Sequence, residues 1–573
     1  MSQDAAHTPK AAQPPAPPVT PPTGGGPESQ RGQSLGRASA LMASGTMVSR
    51  VLGMVRAALL VVVIGGTGLS ADAFSVANTL PNQINLLVAG GMLGAVLVPQ
   101  IVKAAGRPDG GEDYVNRLLT LSLIVMALTT AVGLAAAPLL VGLFSNAKDP
   151  AAIRLAVTFA YLCLPQIFFY GLYTLLGNVL NARGRFTAFM WAPVLANVVS
   201  IIGLLIFTFS GYPRQAAPGD WSSGMIWLLA GTMTLSIVVQ AIFLVIPLRR
   251  SGFRYRPRFG FRGAGLRSAS GVALWSFAAV AVGQLGFIVT SRVLTRASDL
   301  AERDRIVAAG KASYDNAFLL FMLPHSLITV SLTTALFVRL ATAAQHGNTR
   351  AVVADLNRGL RMPAPLTVPI SLAGVLFAPL VVKLFFQQDQ GTTDAIAGVL
   401  VAMLLGVLPF GWLYLINRVY YAFEDGRTPF YFQVLVTAVA TGFNLYAFTV
   451  PVTQTGIWVG IGQTVSNAVG ALLGFLALRR KLGLLGLSRT IRMHVRLVLA
   501  SAVALALGWL ALAWIPASWT DSVLGAAAVL LVLGPAYLVL AWGLGHLMRV
   551  REVDDLLAPV TRRLPRVGTP RNE

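Results

Sequence analysis

The sequence of 573 residues is short of charge and of cysteine: charged residues make up 12% of it, and Cys163 is its one cysteine. Soluble domains carry about 25% charged residues, so about half of the usual charge is missing. A single cysteine permits no intrachain disulfide and no cysteine metal cluster. Acidic residues are scarcer than basic ones, 22 against 44. The composition therefore excludes a disulfide-stabilised domain and disfavours an ordinary soluble one.

Motifs of an enzyme are also missing. The chain has no GxxxxGK[ST] phosphate-binding loop, no HExxH zinc motif and no pair of carboxylates within an apolar run. No segment between the apolar runs has room for a catalytic domain. We therefore expect no metal or other cofactor, and a transporter rather than an enzyme. A membrane-embedded transferase is the enzyme alternative that the sequence leaves open.

Apolar residues are abundant instead, at 55% of the sequence, and the mean hydropathy is +0.68. They form runs long enough to cross a bilayer, which takes about 20 residues of helix. Backbone polar groups in hydrocarbon must be paired within their own segment, so these runs should be helices. We predict an all-α polytopic membrane protein of about fourteen transmembrane helices. The predicted spans are residues 40–65, 74–102, 117–144, 152–181, 187–210, 224–248, 268–295, 310–342, 359–386, 395–423, 428–450, 455–478, 492–515 and 521–546.

Basic residues concentrate in every second loop between the predicted spans, most densely at residues 249–267. Such loops stay in the cytoplasm, so both termini of this inner-membrane protein should be cytoplasmic. This distribution explains the net charge of +22 without nucleic acid, which we do not expect as a partner. One loop fits poorly, because residues 296–311 should lie outside yet are rich in Arg and Lys.

An internal repeat is visible in the spacing of three dipeptides. Leu80-Pro81 and Leu323-Pro324 are 243 residues apart, Leu164-Pro165 and Leu408-Pro409 are 244 apart, and Gly184-Arg185 and Gly426-Arg427 are 242 apart. The similar offsets predict a duplicated six-span unit, whose copies are related by a pseudo-twofold axis along the membrane normal. Two lobes with proline-broken helices are the architecture of an alternating-access transporter.

The repeat and the composition together divide the chain. Residues 1–38 are rich in Pro and Gly and should form a disordered cytoplasmic tail. An N-lobe follows at 39–248, a basic linker at 249–267 and a C-lobe at 268–480. Two further spans at 481–550 and a cytoplasmic tail at 551–573 lie outside the repeat.

Arginines within the first span are candidate substrate-binding residues, because a charge at the bilayer centre costs about 2.5–3.5 kcal/mol on insertion scales. Arg56 should lie about 22 Å along that helix at about 1.5 Å per residue, too deep to reach the cytoplasmic interface. It therefore predicts a polar cavity, and its planar guanidinium suits a phosphate. Arg50 either reaches the interface or lines the same cavity.

Other polar residues near or within spans have two interpretations each. Asp72 and Asp315, near the starts of spans 2 and 8, are either gating groups or acids that a helix dipole stabilises. His325 is either a hydrogen-bonded structural residue or a proton relay.

Residues beside the first repeated proline complete the candidate substrate site. Asn82 and Asn85 follow Pro81, which frees a backbone carbonyl, and would line a cavity there. Arg292, deep in span 7, faces either the cavity or the outer interface.

Three stretches resemble the MurJ/MviN lipid II flippases of the MOP exporter superfamily: residues 49–56 (SRVLGMVR) with 71–74, residues 177–186 with 192–197, and residues 421–429. The resemblance runs from about residue 38 to the last spans. It implies a MOP/MATE-like fold of two six-helix lobes and two extra helices. It also implies that the chain moves lipid II, an undecaprenyl-pyrophosphate-linked glycopeptide, from the inner to the outer leaflet. Membrane lipids and cell-wall synthesis proteins are then candidate partners.

The resemblance carries Arg50 and Arg56 over as cavity arginines, but the chain departs from the family elsewhere. Ala57 replaces an acid, and arginines and a glutamate expected after Pro81 are replaced at Asn85, Leu86 and Gly90. Arg292 is a candidate to supply the missing charge. Three alternatives remain open: an exporter of another polyprenyl-linked glycan, a drug or cation exporter, and a membrane scaffold for cell-wall enzymes.

Overall fold

The structure, a computed structural model, describes residues 28–88, 112–183, 185–259 and 271–561. Regular structure within these ranges is helical, which confirms the predicted all-α class. Eleven helical segments there are long and apolar enough to cross a membrane, or twelve if the bent pair Gln390–Leu404 and Val407–Ala422 is one span. The predicted number of fourteen therefore stays a prediction. The predicted span 74–102 continues beyond the described residues, and the polar side chains of helix Arg427–Tyr446 keep its hydropathy low.

The helices before the basic linker are α1 (Glu28–Ile64), α2 (Leu69–Val88), α3 (Glu112–Ala135), α4 (Ala137–Phe144), α5 (Pro150–Cys163), α6 (Gln166–Ala182), α7 (Phe186–Phe209), α8 (Ser223–Ile226), α9 (Thr232–Phe243) and α10 (Val245–Arg250). The helices after it are α11 (Gly271–Asp304), α12 (Lys311–Pro324), α13 (Ser331–Gln345), α14 (Thr349–Arg361), α15 (Ala364–Phe386), α16 (Gln390–Leu404), α17 (Val407–Ala422), α18 (Arg427–Tyr446), α19 (Val452–Leu482), α20 (Ser488–Ala513), α21 (Ala517–Thr520), α22 (Val523–Leu547) and α23 (Arg551–Thr561). Single π-helical turns, Trp227–Gly231 and His325–Val330, connect α8 to α9 and α12 to α13.

The start of α1 differs from the sequence-based prediction. Residues 28–38, expected to be part of a disordered tail, are the first turns of this helix. No proline interrupts the chain between residue 28 and Pro81. The rest of the predicted tail, residues 1–27, lies outside the described residues.

Two spans are broken at matching places in the two halves of the chain. In the first half, α5 has 14 residues and ends just before Leu164-Pro165. In the second half, α16 has 15 residues, and α17 begins two residues before Pro409 at an angle of 46°. Proline removes a backbone donor and breaks a helix at such points. The matched breaks support the predicted duplication, while the pseudo-twofold axis stays a prediction.

The packing of helices separates two lobes and one additional pair. In the first lobe α1 packs along α7 and α2 along α5, around a core that contains Phe74 and Phe159. In the second lobe α19 packs against α16 and α18, and the core contains Phe321 and Met403. The last two long helices, α20 and α22, pack on each other and on α15. They are thus attached to the outside of the second lobe.

Candidate functional site

Hydrogen bonds between the lobes, within the described ranges, concentrate at one end of the bundle. We call it the joined end: it is the end at which Gly65–Gly68 connect α1 to α2 and residues 305–310 connect α11 to α12. The opposite end, which we call the basic end, carries Arg249 and Arg250 at the end of α10 and Arg479, Arg480 and Lys481 at the end of α19. The two lobes therefore meet mainly away from the arginine-rich loops.

Asp72 is at the centre of the joined end. It lies in the first turn of α2 and is 3% exposed. Its carboxylate accepts the backbone N–H groups of Lys311 at 3.0 Å and of Ala312 at 2.7 Å, the first two residues of α12 in the other lobe. A Cβ at Gly310 would overlap the Asp72 carboxylate, so a glycine is needed where the lobes approach here. The prediction that a helix dipole stabilises Asp72 thus applies to a helix of the opposite lobe.

Lys311 forms a buried charge cluster beside Asp72. Its side chain is 0% exposed, and its ammonium pairs with Asp315, whose side chain is 36% exposed. The same ammonium donates to Ser75 Oγ at 3.4 Å and lies 5.0 Å from the ring centre of Phe287. Ser75 in turn donates to Asp315. Because Ser75 belongs to the first lobe and the ion pair to the second, this cluster can remain intact only while the lobes are in contact.

Arg292 joins the lobes as well, at a different position. Its guanidinium donates to the backbone oxygen of Gly142 at 2.7 Å and to Asn146 Oδ1 at 3.3 Å, at the end of α4. The last carbonyl groups of a helix lack intrahelical partners, and a cation there also matches the helix dipole. These contacts favour a structural role at the lobe boundary over the predicted contact with substrate.

The loop that fitted the predicted orientation poorly is largely neutralised by local contacts. Arg303 pairs with Asp299 at 2.7 Å, and Asp299 also accepts the backbone N–H of Lys148 in the first lobe at 2.8 Å. The guanidinium of Arg296 lies 4.6 Å from the ring centre of Phe448. Together with the buried Lys311, these contacts explain how a basic sequence can stand at the joined end.

The two arginines of α1 have different surroundings. Arg50 donates to Ser326 Oγ in the π-helical turn of the second lobe, so it connects the lobes rather than extending to the interface. Arg56 is half-buried, eight residues before the end of α1, which places it about 12 Å from that end. Tyr170 in α6 is within its electrostatic range, and no carboxylate or carbonyl in the described ranges accepts a hydrogen bond from it. Arg56 therefore has donors available for an anion.

The residues that follow the repeated prolines Pro81 and Pro324 differ in exposure. Asn82 is exposed, whereas Asn85 is half-buried and its Oδ1 has no hydrogen-bond partner in the described part of the chain. His325, the repeat counterpart of Asn82 at the 243-residue offset, is 2% exposed. Its ring lies 4.4 Å from that of Phe410, and its Nδ1 is likewise unpaired within the described ranges. His325 packs as an aromatic ring, so the predicted hydrogen-bonded role is not what its surroundings show.

Sequence reasoning missed two tyrosines and one arginine. Tyr170, near Arg56, and Tyr414 are 244 residues apart, the offset that relates Pro165 to Pro409. Tyr414 lies between the His325 ring, at 5.5 Å, and Arg418, which donates to its hydroxyl at 2.8 Å. Arg418 falls in the predicted span 395–423, and the structure places it within α17. Applying the repeat offset to tyrosine as well as to proline would have found this matched arrangement.

Two acids between the spans are helix caps. Asp389 accepts the N–H of Thr392 before α16, and Asp425 accepts the N–H of Thr428 before α18. Burial alone would raise the pKa of each carboxyl, but the hydrogen bonds outweigh burial and lower the pKa. Both groups are therefore ionised at neutral pH. The described residues contain no group of three His, Cys, Asp or Glu arranged for a metal ion.

Comparison with known proteins identifies the family. The family described as "Lipid II flippase MurJ" matches residues 61–532. The lipid II flippase MurJ of Burkholderia cenocepacia is 27% identical over 532 residues, 89% of this chain and 98% of that protein. The probable lipid II flippase MurJ of Rhizobium meliloti is 27% identical over 498 residues, 84% of this chain and 88% of that protein.

Solved structures agree on the fold. A lipid II flippase MurJ in an inward closed conformation superposes with a TM-score of 0.67 at 17% identity, covering 88% of this chain and 98% of that one. A MATE transporter in complex with MaL6 gives 0.56 at 19% identity, covering 78% of this chain and 96% of that one. The MOP/MATE-like fold expected from the resemblance is therefore confirmed, and the chain belongs to the lipid II flippase MurJ family, whose members are multi-pass membrane transporters.

Proposed function

We propose that this protein flips lipid II across the cytoplasmic membrane of a bacterium by alternating access between its two lobes. Membership of the family and the names of the relatives support the substrate. The guanidinium of Arg56, half-buried and without a hydrogen-bond partner among the described residues, is the observation that carries the site. Removing such a charge from water is costly unless an anion compensates it, and a pyrophosphate with two charged groups is such an anion.

The location of the substrate site follows from Arg56 and its neighbours. Arg56 and Tyr170 belong to the first lobe, and Arg50 reaches the second lobe at Ser326. The unpaired Asn85 Oδ1 is an acceptor for an N–H or O–H group of the headgroup. Arg50, Arg56, Asn82 and Asn85 remain our proposed substrate contacts, with Arg56 the principal one. Arg292 is assigned instead to the lobe boundary, where its donors are already occupied.

The transport direction follows from the two ends of the bundle. We assign the basic end and both termini to the cytoplasm, because arginine-rich loops are retained there. The joined end then faces outward and is closed in this conformation by Asp72, Arg292 and the Lys311–Asp315 pair. The headgroup enters from the cytoplasmic side, and separation of the lobes at the joined end releases it outside. These steps move a lipid without a covalent reaction, so no catalytic group is required.

Substitution of Arg56 tests the substrate site. Arg56→Ala should abolish flipping, and Arg56→Lys should restore only part of it, because lysine keeps the charge and loses the two-pronged geometry. The measurement is the accessibility of lipid II in the outer leaflet of cells that depend on the variant. Arg154→Ala is the matched control, since it removes an exposed arginine from α5 outside the proposed site.

Four results would contradict all or part of this assignment. Normal flipping by Arg56→Ala at normal protein abundance would make the arginine structural. Full flipping by Arg56→Lys would reduce its role to that of a point charge. If cells need residues 1–27 for growth, although their deletion leaves lipid II accessibility unchanged, the result would support the scaffold alternative. Transport of another polyprenyl-linked glycan in place of lipid II would refute the substrate and keep the fold-based mechanism.

A further inference from the structure

A groove of about 810 Å³ lies at the basic end, away from the proposed substrate site. It is formed where α20 begins, α22 ends and α23 folds back across both. Among the described residues, five arginines line it: Arg489, Arg492, Arg496, Arg549 and Arg551. The acids in its wall are Glu552 and Asp554, so the groove keeps a clear excess of positive charge.

Most of this positive charge is not neutralised within the described residues. Glu552 is shared between Arg361 at 3.4 Å and Arg489 at 3.6 Å, and Asp554 contacts His546 at 2.5 Å. Neither Arg492 nor Arg551 has a carboxylate partner in the described ranges. Arg496 and Arg549 are linked only through a backbone oxygen, at 3.5 Å. Several guanidinium groups therefore lie around one groove, and some of their N–H donors have no acceptor among the described residues.

The backbone of Arg549 has a left-handed conformation that strains an arginine but would not strain a glycine. The end of α22 is closed by hydrogen bonds from Arg549 N to His546 O at 2.8 Å and from Val550 N to Gly545 O at 3.0 Å. In this termination the residue at the position of Arg549 is left-handed and is usually glycine. Arg549 has φ +58° there. The chain thus keeps an arginine that lines the groove at a position where glycine is usual.

The groove borders the surface that faces lipid. Leu547, which lines it, is 75% exposed, and Val495 and Leu499 are each 52% exposed on the adjoining face of α20. On the same helix Arg489, Arg492 and Arg496 repeat at helical spacing, so the charged and apolar surfaces meet along one edge. A ligand that matches both surfaces carries a phosphate at one end and hydrocarbon at the other.

We propose that this groove binds the headgroup of an anionic phospholipid of the leaflet at the basic end, with an acyl chain along Val495 and Leu499. Basic pockets between membrane helices on the cytoplasmic side are suited to such headgroups. The lipid fixes α23 against α20 and α22, because its phosphate contacts arginines of α20, of the turn that follows α22 and of α23. This site is independent of lipid II binding and does not rest on the proposed function.

Binding of a defined lipid to the purified full-length protein tests the proposal. The delipidated protein in a neutral detergent is titrated with dioleoyl-phosphatidylglycerol or dioleoyl-phosphatidylcholine, and bound lipid is counted by native mass spectrometry. Wild-type protein should retain the anionic lipid more tightly. Arg492→Gln with Arg551→Gln should weaken its binding about thirtyfold, which equals about 2 kcal/mol for two surface arginines. Neither substitution leaves a carboxylate unpaired.

The control variant combines Arg350→Gln with Arg479→Gln, two exposed arginines at the same end that do not line the groove. It removes the same charge and should bind phosphatidylglycerol like wild type. Equal losses in both double variants, or equal binding of the two lipids by wild type, would overturn the proposal. Complete displacement by excess inorganic phosphate would show a free-phosphate site and overturn it too. Wild-type binding should weaken in high salt, which checks the charge dependence even if a variant fails to fold.

Discussion

The carboxylate of Asp72 caps the helix that Lys311 begins, although the two residues belong to different lobes. The first N–H groups of a helix have no intrahelical acceptor, so the helix needs an acceptor from outside. Here the acceptor comes from a part of the molecule that must move away when the joined end opens. Opening therefore exposes both a carboxylate and a helix terminus, and the balance between closed and open states depends on what replaces this contact.

Asp72→Asn should favour opening of the joined end. Asparagine keeps one acceptor oxygen, but its NH₂ group meets the second backbone N–H, which leaves a buried donor unsatisfied at a cost of about 1–3 kcal/mol. Spin labels at Arg154 and Thr453, both exposed and one in each lobe, report the separation at this end. We expect the distribution of distances to shift to longer values. Asp220→Asn, an exposed acid in the first lobe, is the control, and identical distributions for the two variants would contradict the capping role.

The single variant Lys311→Met should be less stable than the double variant that combines Lys311→Met with Asp315→Asn. The single change leaves the Asp315 carboxylate without its cation, whereas the double change removes both charges. Breaking a fully buried ion pair costs about 3–5 kcal/mol, and the partial exposure of Asp315 keeps the cost toward the lower value. Thermal unfolding of the purified protein in detergent measures both variants and Asp315→Asn alone. Strictly additive losses would show that the pair is not coupled.

A disulfide across the joined end should stop transport. The hydroxyl oxygens of Thr67 and Thr392 are 3.2 Å apart, so cysteines at these positions are close enough to be oxidised. In a Cys163→Ala background, Thr67→Cys with Thr392→Cys should lose lipid II flipping on oxidation and regain it on reduction. The control pair is Asn357→Cys with Thr490→Cys, whose parent side chains are 2.7 Å apart and both lie after the linker. Flipping that continues in the cross-linked protein would refute opening at this end.

Labelling of single cysteines tests the orientation of the bundle. Thr453→Cys, exposed at the joined end, should react with a membrane-impermeant maleimide in intact cells, while Ser488→Cys at the basic end should not. Thr453 is a better position than Gly68, whose φ of +95° disfavours any side chain. The buried Cys163 gives little background. The opposite labelling pattern would reverse the assignment of the two ends.

The sequence was informative where a local cause sets the structure. Apolar runs determine the helices, and prolines determine the broken spans, so both were predictable. The partner of Asp72 was not, because it lies 239 residues away and no periodicity relates an acid to the helix it caps. For Lys311 the sequence indicates only a basic residue in a loop that should lie outside. Its pairing with Asp315 has the ordinary i,i+4 spacing of a helix, but burial of that pair depends on the other lobe.

The π-helical turn His325–Val330 holds one residue more per turn than an α-helix would. If that residue were returned to an α-helical path, α13 would rotate relative to α12 by about 100°, the angle of one residue in a helix of 3.6 residues per turn. Ser326, which receives the hydrogen bond from Arg50, lies in this turn. The same local rearrangement would separate Ser326 from Arg50 and turn a different face of α13 toward the first lobe, without a hinge between the lobes.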